Sequence, residues 1–452
     1  MPGGMHPRSR EPSPGPPSVG AGAEERREAR NTLWLELHQV IVRVGWIFKT
    51  ETIIMPAVLD AVVDSGTLRG LLPVLNRGGQ SVPPLLFSGA LSRLKSKKWA
   101  LVGTSLLMAA AFAVLALAWS PLEARRPDLL ALLFLVVYAL FSSSNGLNQL
   151  VLASLQGKLI APGHRGRAML VSVALGSVAA IVAALAWLGR WLREPDGFPK
   201  IFGATAGFFA LAALVPPLLD EPPDAPPEPL AAPPRRHGWR SRIAAGLTDW
   251  RRTLASDPSL VRLTVVAACF SAVLILFPHY QAFARDRLGS RIGSLLTWVV
   301  VQNAATGVAS LVVGPISDRR GTRTVLVWLV ALSSVTPLVV AGLGRIGAAA
   351  AAERFWIVYV PLGLNPLSLK VFTNYALELA PAPVSHPRYV SIVGGALAAP
   401  FVLSPAVGWA VDRFGFEPAF LVGAVIIASG AAVATGLPEP RNRGRVGAEN
   451  AS

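Results

Sequence analysis

The chain has a single cysteine among 452 residues, Cys269, set inside an apolar run, so neither a disulfide nor a cysteine-based metal site can form within it. Charged side chains are the next shortage. They make up 15% of the chain, against about 25% in an ordinary soluble protein. With 52% apolar side chains the mean hydropathy is +0.49. That combination excludes a water-soluble enzyme of the usual kind. The motifs of enzyme chemistry are missing too. There is no G-x-x-x-x-G-K-[ST] phosphate loop, which argues against ATP-driven work, no H-E-x-x-H and no G-x-S-x-G elbow, and the six histidines are scattered. Ser92 and Lys95 match S-x-x-K formally, in a basic loop without companion motifs. The sequence implies no enzyme activity and no cofactor. Residues 1–31, rich in Pro, Gly, Arg and Glu, hold no apolar core of about 7–15 residues and are expected to be a disordered tail rather than a signal peptide.

What is present is apolar length. Residues 101–119 carry no charge, and neither do residues 129–155, where a membrane span needs about 20. Apolar blocks fall at 38–60, 69–91, 99–119, 129–155, 168–189 and 200–219, then at 259–284, 292–316, 324–343, 355–377, 389–411 and 418–437. The expected fold is an all-α membrane protein of 12 transmembrane helices in two six-helix bundles, 32–219 and 258–438, with tails at 1–31 and 439–452. The break between them, 220–257, holds Glu221-Pro222-Pro223-Asp224-Ala225-Pro226-Pro227 and reads as an extended linker. Within it, 239–250 (WRSRIAAGLTDW) suits an amphipathic surface helix. The net charge of +16 would suggest nucleic acid in a soluble chain. Here no basic stripe interleaved with aromatics lies outside the apolar blocks, and the Lys/Arg residues gather about two to one in loops on one side, Arg93-Leu94-Lys95-Ser96-Lys97-Lys98 above all. That bias predicts that both termini are cytoplasmic; a multi-pass protein of the inner (plasma) membrane, monomeric in the lipid bilayer and without a nucleic-acid partner, is expected.

The halves share a repeat. Gly146-Leu147-Asn148-Gln149-Leu150-Val151-Leu152 recurs as Gly363-Leu364-Asn365-Pro366-Leu367-Ser368-Leu369, Ala161-Pro162 as Ala380-Pro381, and Arg167 corresponds to Arg388. Ordered matches at nearly constant offset predict two parallel, pseudo-symmetric halves related by an axis along the membrane normal. Gly314-Pro315-Ile316-Ser317-Asp318-Arg319-Arg320-Gly321-Thr322-Arg323, at the end of the eighth block, resembles the G-x-x-x-D-[RK]-x-G-x-[RK] loop of the major facilitator superfamily. The equivalent first-half loop from Gly89 departs from that pattern, with Arg93 where Asp is expected and no second glycine. The segments around Gly408 to Gly415 and His164 to Arg167 also look like family loops. The resemblance covers roughly 32–437. It implies alternating access by rocking of the halves, blocks 1, 4, 7 and 10 lining a central cavity, and a conformational latch at Gly314, Asp318, Arg319, Gly321 and Arg323, one-sided because the first-half loop lacks its aspartate.

Ionisable residues inside a span are costly and mark function by default. The first block holds Arg43, Lys49 and Glu51, and Arg77 in the second lies at similar depth to Glu51, so a Glu51–Arg77 contact is expected, with Lys49 and Arg43 free to snorkel. Tyr138, Ser142, Asn145, Gln149 and Gln156 share one face of the fourth block. In the tenth, the corresponding positions include Tyr359, Lys370 and Thr373. Asn145, Gln149 and Lys370 are therefore cavity candidates, while Asn148 and Asn365, alike in both halves, read as structural. His279 and Gln302 complete the candidates for solute or proton contact. The function so implied is a secondary active transporter of a small organic solute, with possible proton coupling through Glu51. The alternative is a non-transporting membrane sensor or scaffold on the same fold.

Overall fold

The structure is a computed structural model that describes residues 21–91, 94–223, 239–381 and 385–439. Most of the expected N-terminal tail, Arg93, the proline-dense part of the linker and nearly all of the C-terminal tail lie outside the described residues. Among those described there are helices and no strands.

The N-terminal half comprises α1 (Ala21–Ile47), α2 (Ile54–Val62), α3 (Gly66–Leu91), α4 (Lys98–Arg125), α5 (Pro127–Leu159), α6 (Pro162–Ala183), the short α7 (Gly189–Trp191) and α8 (Gly197–Ala213). A helix, α9 (Trp239–Ser256), occupies the end of the linker where an amphipathic segment was expected. The C-terminal half comprises α10 (Pro258–Leu288), α11 (Ser294–Arg320), α12 (Thr322–Leu343), then α13 (Ala348–Arg354), α14 (Tyr359–Leu362) and α15 (Asn365–Leu379), then α16 (His386–Ala398) with α17 (Ser404–Phe414), and α18 (Phe416–Thr435). Ten helical stretches are long and apolar enough to cross a membrane. The other two of the twelve expected crossings fall on α1–α2, which is interrupted, and on α3, which carries Pro73, Pro83 and Pro84.

Three expected spans are thus broken rather than continuous, and each break has a cause. In the first, residues 48–53 leave the helix at the Lys49-Thr50-Glu51 run, and the Thr50 hydroxyl accepts from the Ile54 amide at 3.2 Å to start α2. In the tenth, Pro361 and Pro366 each remove a backbone donor. The freed Gly363 carbonyl accepts from the Thr306 hydroxyl at 2.7 Å, and the Asn365 side chain donates to Leu362 O at 3.0 Å. The eleventh is interrupted by a 3₁₀ turn at Ala399–Leu403 next to Pro400 and Pro405. Non-helical backbone at membrane depth is tolerated only where protein or a water-filled cavity satisfies it, and in the first and tenth crossings these side-chain contacts do so.

The repeat has a mechanical meaning. A side chain at Gly146 would fall 2.7 Å from Gly79 O, and one at Gly363 would fall 2.5 Å from Gln302 O. The repeated glycine therefore lets the fourth crossing touch the second, and the tenth touch the eighth, backbone to backbone. Asn148 donates to the hydroxyls of Thr104 at 3.0 Å and Ser105 at 2.9 Å. Asn148 thus ties the fourth crossing to the third, whereas Asn365 bonds across the break within its own crossing, and both also border the cavity described below.

At the start of the linker the buried carboxylate of Glu221 accepts from the backbone N–H groups of Lys97 and Lys98, each at 2.9 Å, and from Ser96 Oγ at 2.7 Å, and it pairs with Lys158 at 3.0 Å. An anion at the amino end of α4 opposes that helix's exposed donors. Burial by itself would raise the Glu221 pKa, but the two amides, the serine and the lysine together bring it below the ordinary carboxylate value. A depressed folded-state pKa means stability that is present above the unfolded value and lost as pH falls through the folded one. Glu221→Ala is expected to cost about 2 kcal/mol in detergent melts at neutral pH, with the difference from wild type shrinking as the pH falls below about 4; an equal loss at every pH removes the charge from the account.

Candidate functional site

The six-helix halves enclose a cavity of about 800 Å³. Its wall runs from Thr52 and Arg77, at the depth of the first-helix break, to Gln156, Thr373 and Asn374, near the ends of α5 and α15. It therefore opens toward the face where α1 begins and α18 ends. Below its base lies a recess of about 30 Å³ bounded by Glu51, Leu72, Asn76, Arg77, Tyr138 and Phe401, room for about one water.

The break builds the base. Lys49 is fully buried, with its ammonium 3.1 Å from the Trp46 ring centre, 4.2 Å from that of Phe141 and 3.0 Å from Glu51 Oε1. The other Glu51 oxygen accepts from the Asn76 amide, whose own oxygen accepts from Gln80. Thr52 donates to Gln302 Oε1 at 2.7 Å, joining the halves at the cavity floor. The expected Glu51–Arg77 pair does not form among the described residues. Glu51 is already held by the lysine two positions away, which the unwound backbone turns toward it, and Arg77 shares the recess with its guanidinium 5.9 Å from the Phe401 ring. Lys49 does not snorkel; it is the buried partner.

Of the fourth-block polar stripe, Asn145, Gln149 and Gln156 border the cavity and Tyr138 the recess, whereas Ser142 packs beneath Gly79. Lys370 and Thr373 border the cavity from the other half, but Tyr359 is buried with its ring stacked on Trp298. Gln302 lies on the wall. His279 does not: it is fully buried outside the cavity, and neither ring nitrogen has a partner among the described residues.

The residues of the expected latch are described in part, and Arg93 of the first-half loop lies outside the described residues. Gly321 turns the chain at φ +89°, Thr322 donates to Glu378 at 2.7 Å, Arg323 donates to Thr435 O, and Arg319 is exposed. All of these partners belong to the C-terminal half, at the open end. Gly314, expected to allow close helix approach, has nothing within 4 Å of the place a side chain would start. The side chain of Asp318 lies outside the described residues, as do those of His164 to Arg167.

The closed end holds a polar gate that sequence reasoning missed. Arg69 binds Asp60 at 2.7 Å and Asp64 at 3.1 Å within the N-terminal half. Arg285 reaches across from α10 to Asp60 at 3.3 Å and Asp64 at 2.6 Å. Asp412 of α17 accepts from the Gly66 and Thr67 amides at 2.8 and 3.2 Å, at the amino end of α3. Gly66 and Gly70 lie against Ser404 and Gly408 so closely that a side chain at Gly408 would fall 1.9 Å from Gly66 O. The only sequence signals were carboxylates clustered at a span end and two small-x-x-x-small pairs, a pattern that lets membrane helices meet.

No family model matches the chain, and no curated protein does. Solved structures match its fold. A POT family transporter in complex with 5-aminolevulinic acid superposes with a TM-score of 0.69 at 12% identity, over 91% of this chain and 96% of that one. The nucleoside transporter NupG gives 0.60 at 13%, over 90% and 98%. A bacterial homologue of the human lysosomal transporter Spinster, inward-facing and unoccupied, gives 0.63 at 14%, over 90% and 96%. The chain has the major facilitator fold.

Two outcomes follow from this geometry. Lys49→Met, which strands Glu51 beside a buried void, is expected to cost on the order of 3 kcal/mol in thermal melts, and Arg77→Gln less than about 1; a reversed order sinks the Lys49–Glu51 assignment. In a Cys269→Ser background, Leu72→Cys, only 2% exposed beneath the gate, is expected to react about tenfold faster with an impermeant maleimide when Arg285→Gln is added. Two partly exposed ion pairs worth under about 1 kcal/mol each set that figure, and an unchanged rate takes Arg285 out of the gate.

Proposed function

We propose that the protein is a secondary active transporter that moves a small organic solute by rocking its two halves around the central cavity. The observation that carries this reading is a polar cavity open at one end and shut at the other by contacts that cross between the halves. The crossing contacts are separable ones: a partly exposed arginine, an aspartate on two backbone amides, and glycine-lined helix faces. Opening that gate and closing the other end exchanges access without unfolding either half. The neighbours of similar fold are named as transporters of nucleosides and peptides, which supports a transported solute here. If the positive bias of the loops sets topology, the open end faces the cytoplasm, both termini lie there, and the membrane is the inner one.

Glu51 is the candidate for proton coupling. It is the one carboxylate on the cavity wall, 24% exposed, and its partners form a short relay of Lys49, Asn76 and Gln80 across the helix break. Protonation would release Lys49 from its ion pair and so alter the cavity floor.

Reconstituted in liposomes and offered a panel of radiolabelled metabolites, the protein is expected to show saturable counterflow with at least one, and Glu51→Gln to retain that counterflow while losing accumulation driven by a pH gradient. Undiminished proton-driven accumulation in Glu51→Gln ends the coupling role. Counterflow with none of the panel, in protein shown to be folded, favours the sensor or scaffold.

A further inference from the structure

Among the described residues four fully ionisable side chains border the cavity: Arg43, Glu51, Arg77 and Lys370. His38, which also borders it, is tied to Ser105 at 3.3 Å. The one acid among the four is engaged by Lys49 and Asn76. No described carboxylate lies within ion-pair distance of the three cations. The partner of Arg43 is the neutral oxygen of Asn303 at 3.4 Å, Arg77 rests against Phe401, and Lys370 is exposed to the cavity. Elsewhere in the bundle the buried arginine is matched: Arg69 has two aspartates. Unmatched positive charge is thus a property of the cavity and not of the membrane core at large.

We propose that the cavity is a binding site for an organic anion, a carboxylate or a phosphate or sulfate ester, held between Arg43 and Arg77 of one half and Lys370 of the other. This names the solute of the transporter proposed above and so rests on that reading. Cations at membrane depth are costly unless something compensates them, and three of one sign around a cleft concentrate counter-ions there. Snorkelling accounts poorly for Arg77, which sits at the deep end of the cavity beside the helix break. A guanidinium presents paired donors that match the two oxygens of a carboxylate or phosphate, while an ammonium supplies a point charge. Asn145, whose side-chain nitrogen is buried without a partner among the described residues, and Gln149 add neutral donors for the rest of the molecule. A volume of about 800 Å³ suits a solute of metabolite size.

The test uses the full chain in detergent with citrate, glucose 6-phosphate, phenyl sulfate and benzoate as probes, each beside an uncharged partner (glucose for the sugar phosphate, benzamide for benzoate) and beside the cations choline and benzylamine. Melting temperature and titration calorimetry report binding. At least one anion is expected to bind and its uncharged partner not to. Arg77→Gln and Lys370→Gln should each weaken that binding about tenfold or more, the loss of one hydrogen bond to a charged group. Lys370→Glu should abolish it. Should Arg77→Gln fail to fold, Lys370, exposed at the cavity surface, carries the test alone. Binding of none of the anions, preference for the neutral or cationic probes, or anion binding unchanged in the lysine variants overturns the proposal. Anion binding without counterflow in liposomes overturns transport and leaves the site standing. Counterflow of only neutral or cationic solutes does the reverse.

Discussion

Everything at the cavity floor depends on the first membrane helix coming apart at residues 48–53. In a bilayer an unwound backbone has no water to turn to, so it survives only where protein satisfies it or a cavity supplies solvent. Here Thr50 supplies a hydroxyl to the first amide of α2, Trp46 O accepts from the Lys49 amide at 3.1 Å, and the charged side chains released by the break neutralise one another. Had the helix continued, Lys49 and Glu51, two positions apart, would have pointed to different sides of it. Unwinding brings them together, and Asn76 and Gln80 of α3 then find an acceptor. Thr52, the last residue of the same break but one, reaches Gln302 in the other half. One local interruption therefore fixes the position of a carboxylate, buries an ammonium under two rings, and provides the neutral contact between the halves at the floor.

The two ends of the molecule differ in how their charges are arranged, and the difference bears on whether the gate can open. Asp60 and Arg69 are both almost inaccessible, with side chains 1% and 2% exposed, and belong to the same half. Arg285 and Asp64, at 29% and 68%, are the ones in reach of water. When the halves separate, Asp60 keeps Arg69, so no buried charge is stranded, a loss that would cost several kcal/mol. What breaks is the exposed part, each pair worth less than about 1 kcal/mol, together with an aspartate on two amides that water can replace. A gate built the other way round, with its buried pair crossing the halves, would be a lock.

The fold was legible in the sequence because hydrophobic length, proline-dense punctuation and an internal repeat are long-range patterns that survive without detail. The six-plus-six division, the linker helix at Trp239–Ser256 and the crossing glycines 146 and 363 all follow from such patterns. The site was legible in part. Asn145, Gln149 and Gln156 of the fourth crossing could be placed on the wall because a continuous helix fixes which side chains share a face, and α5 is continuous; in the tenth the same rule held for Lys370 and Thr373 within α15 and not for Tyr359 before the break. The same rule failed where the helix was not continuous: equating depths along an unbroken first span gave Glu51 to Arg77, when the break had already given it to Lys49. His279 stands near the closed end of its helix as expected, but a histidine in an apolar run carries no sign of which side of that helix meets the cavity. The gate escaped notice because its partners are 221 and 346 positions apart in the chain, and no local pattern announces a contact of that kind.

The repeat also explains why the cavity is not symmetric. Gly146 and Gly363 set the same helix crossing in both halves, but the residue three places on is Gln149 in one and Pro366 in the other, so α5 runs through while its counterpart divides into α14 and α15. The shared glycine keeps the architecture; the divergence beside it changes what faces the cavity. The N-terminal half brings Arg43, Arg77 and the engaged Glu51, and the C-terminal half brings Lys370. Rocking the halves to close the open end would carry Arg43 and Lys370 toward each other, two like charges with water leaving from between them. That closure would be uphill while the cavity is empty and eased by negative charge between them. A ligand shifts a two-state equilibrium only through its different affinity for the two states, and cations split between the halves would supply such a difference, because closing would draw both sides more tightly onto an anion held between them.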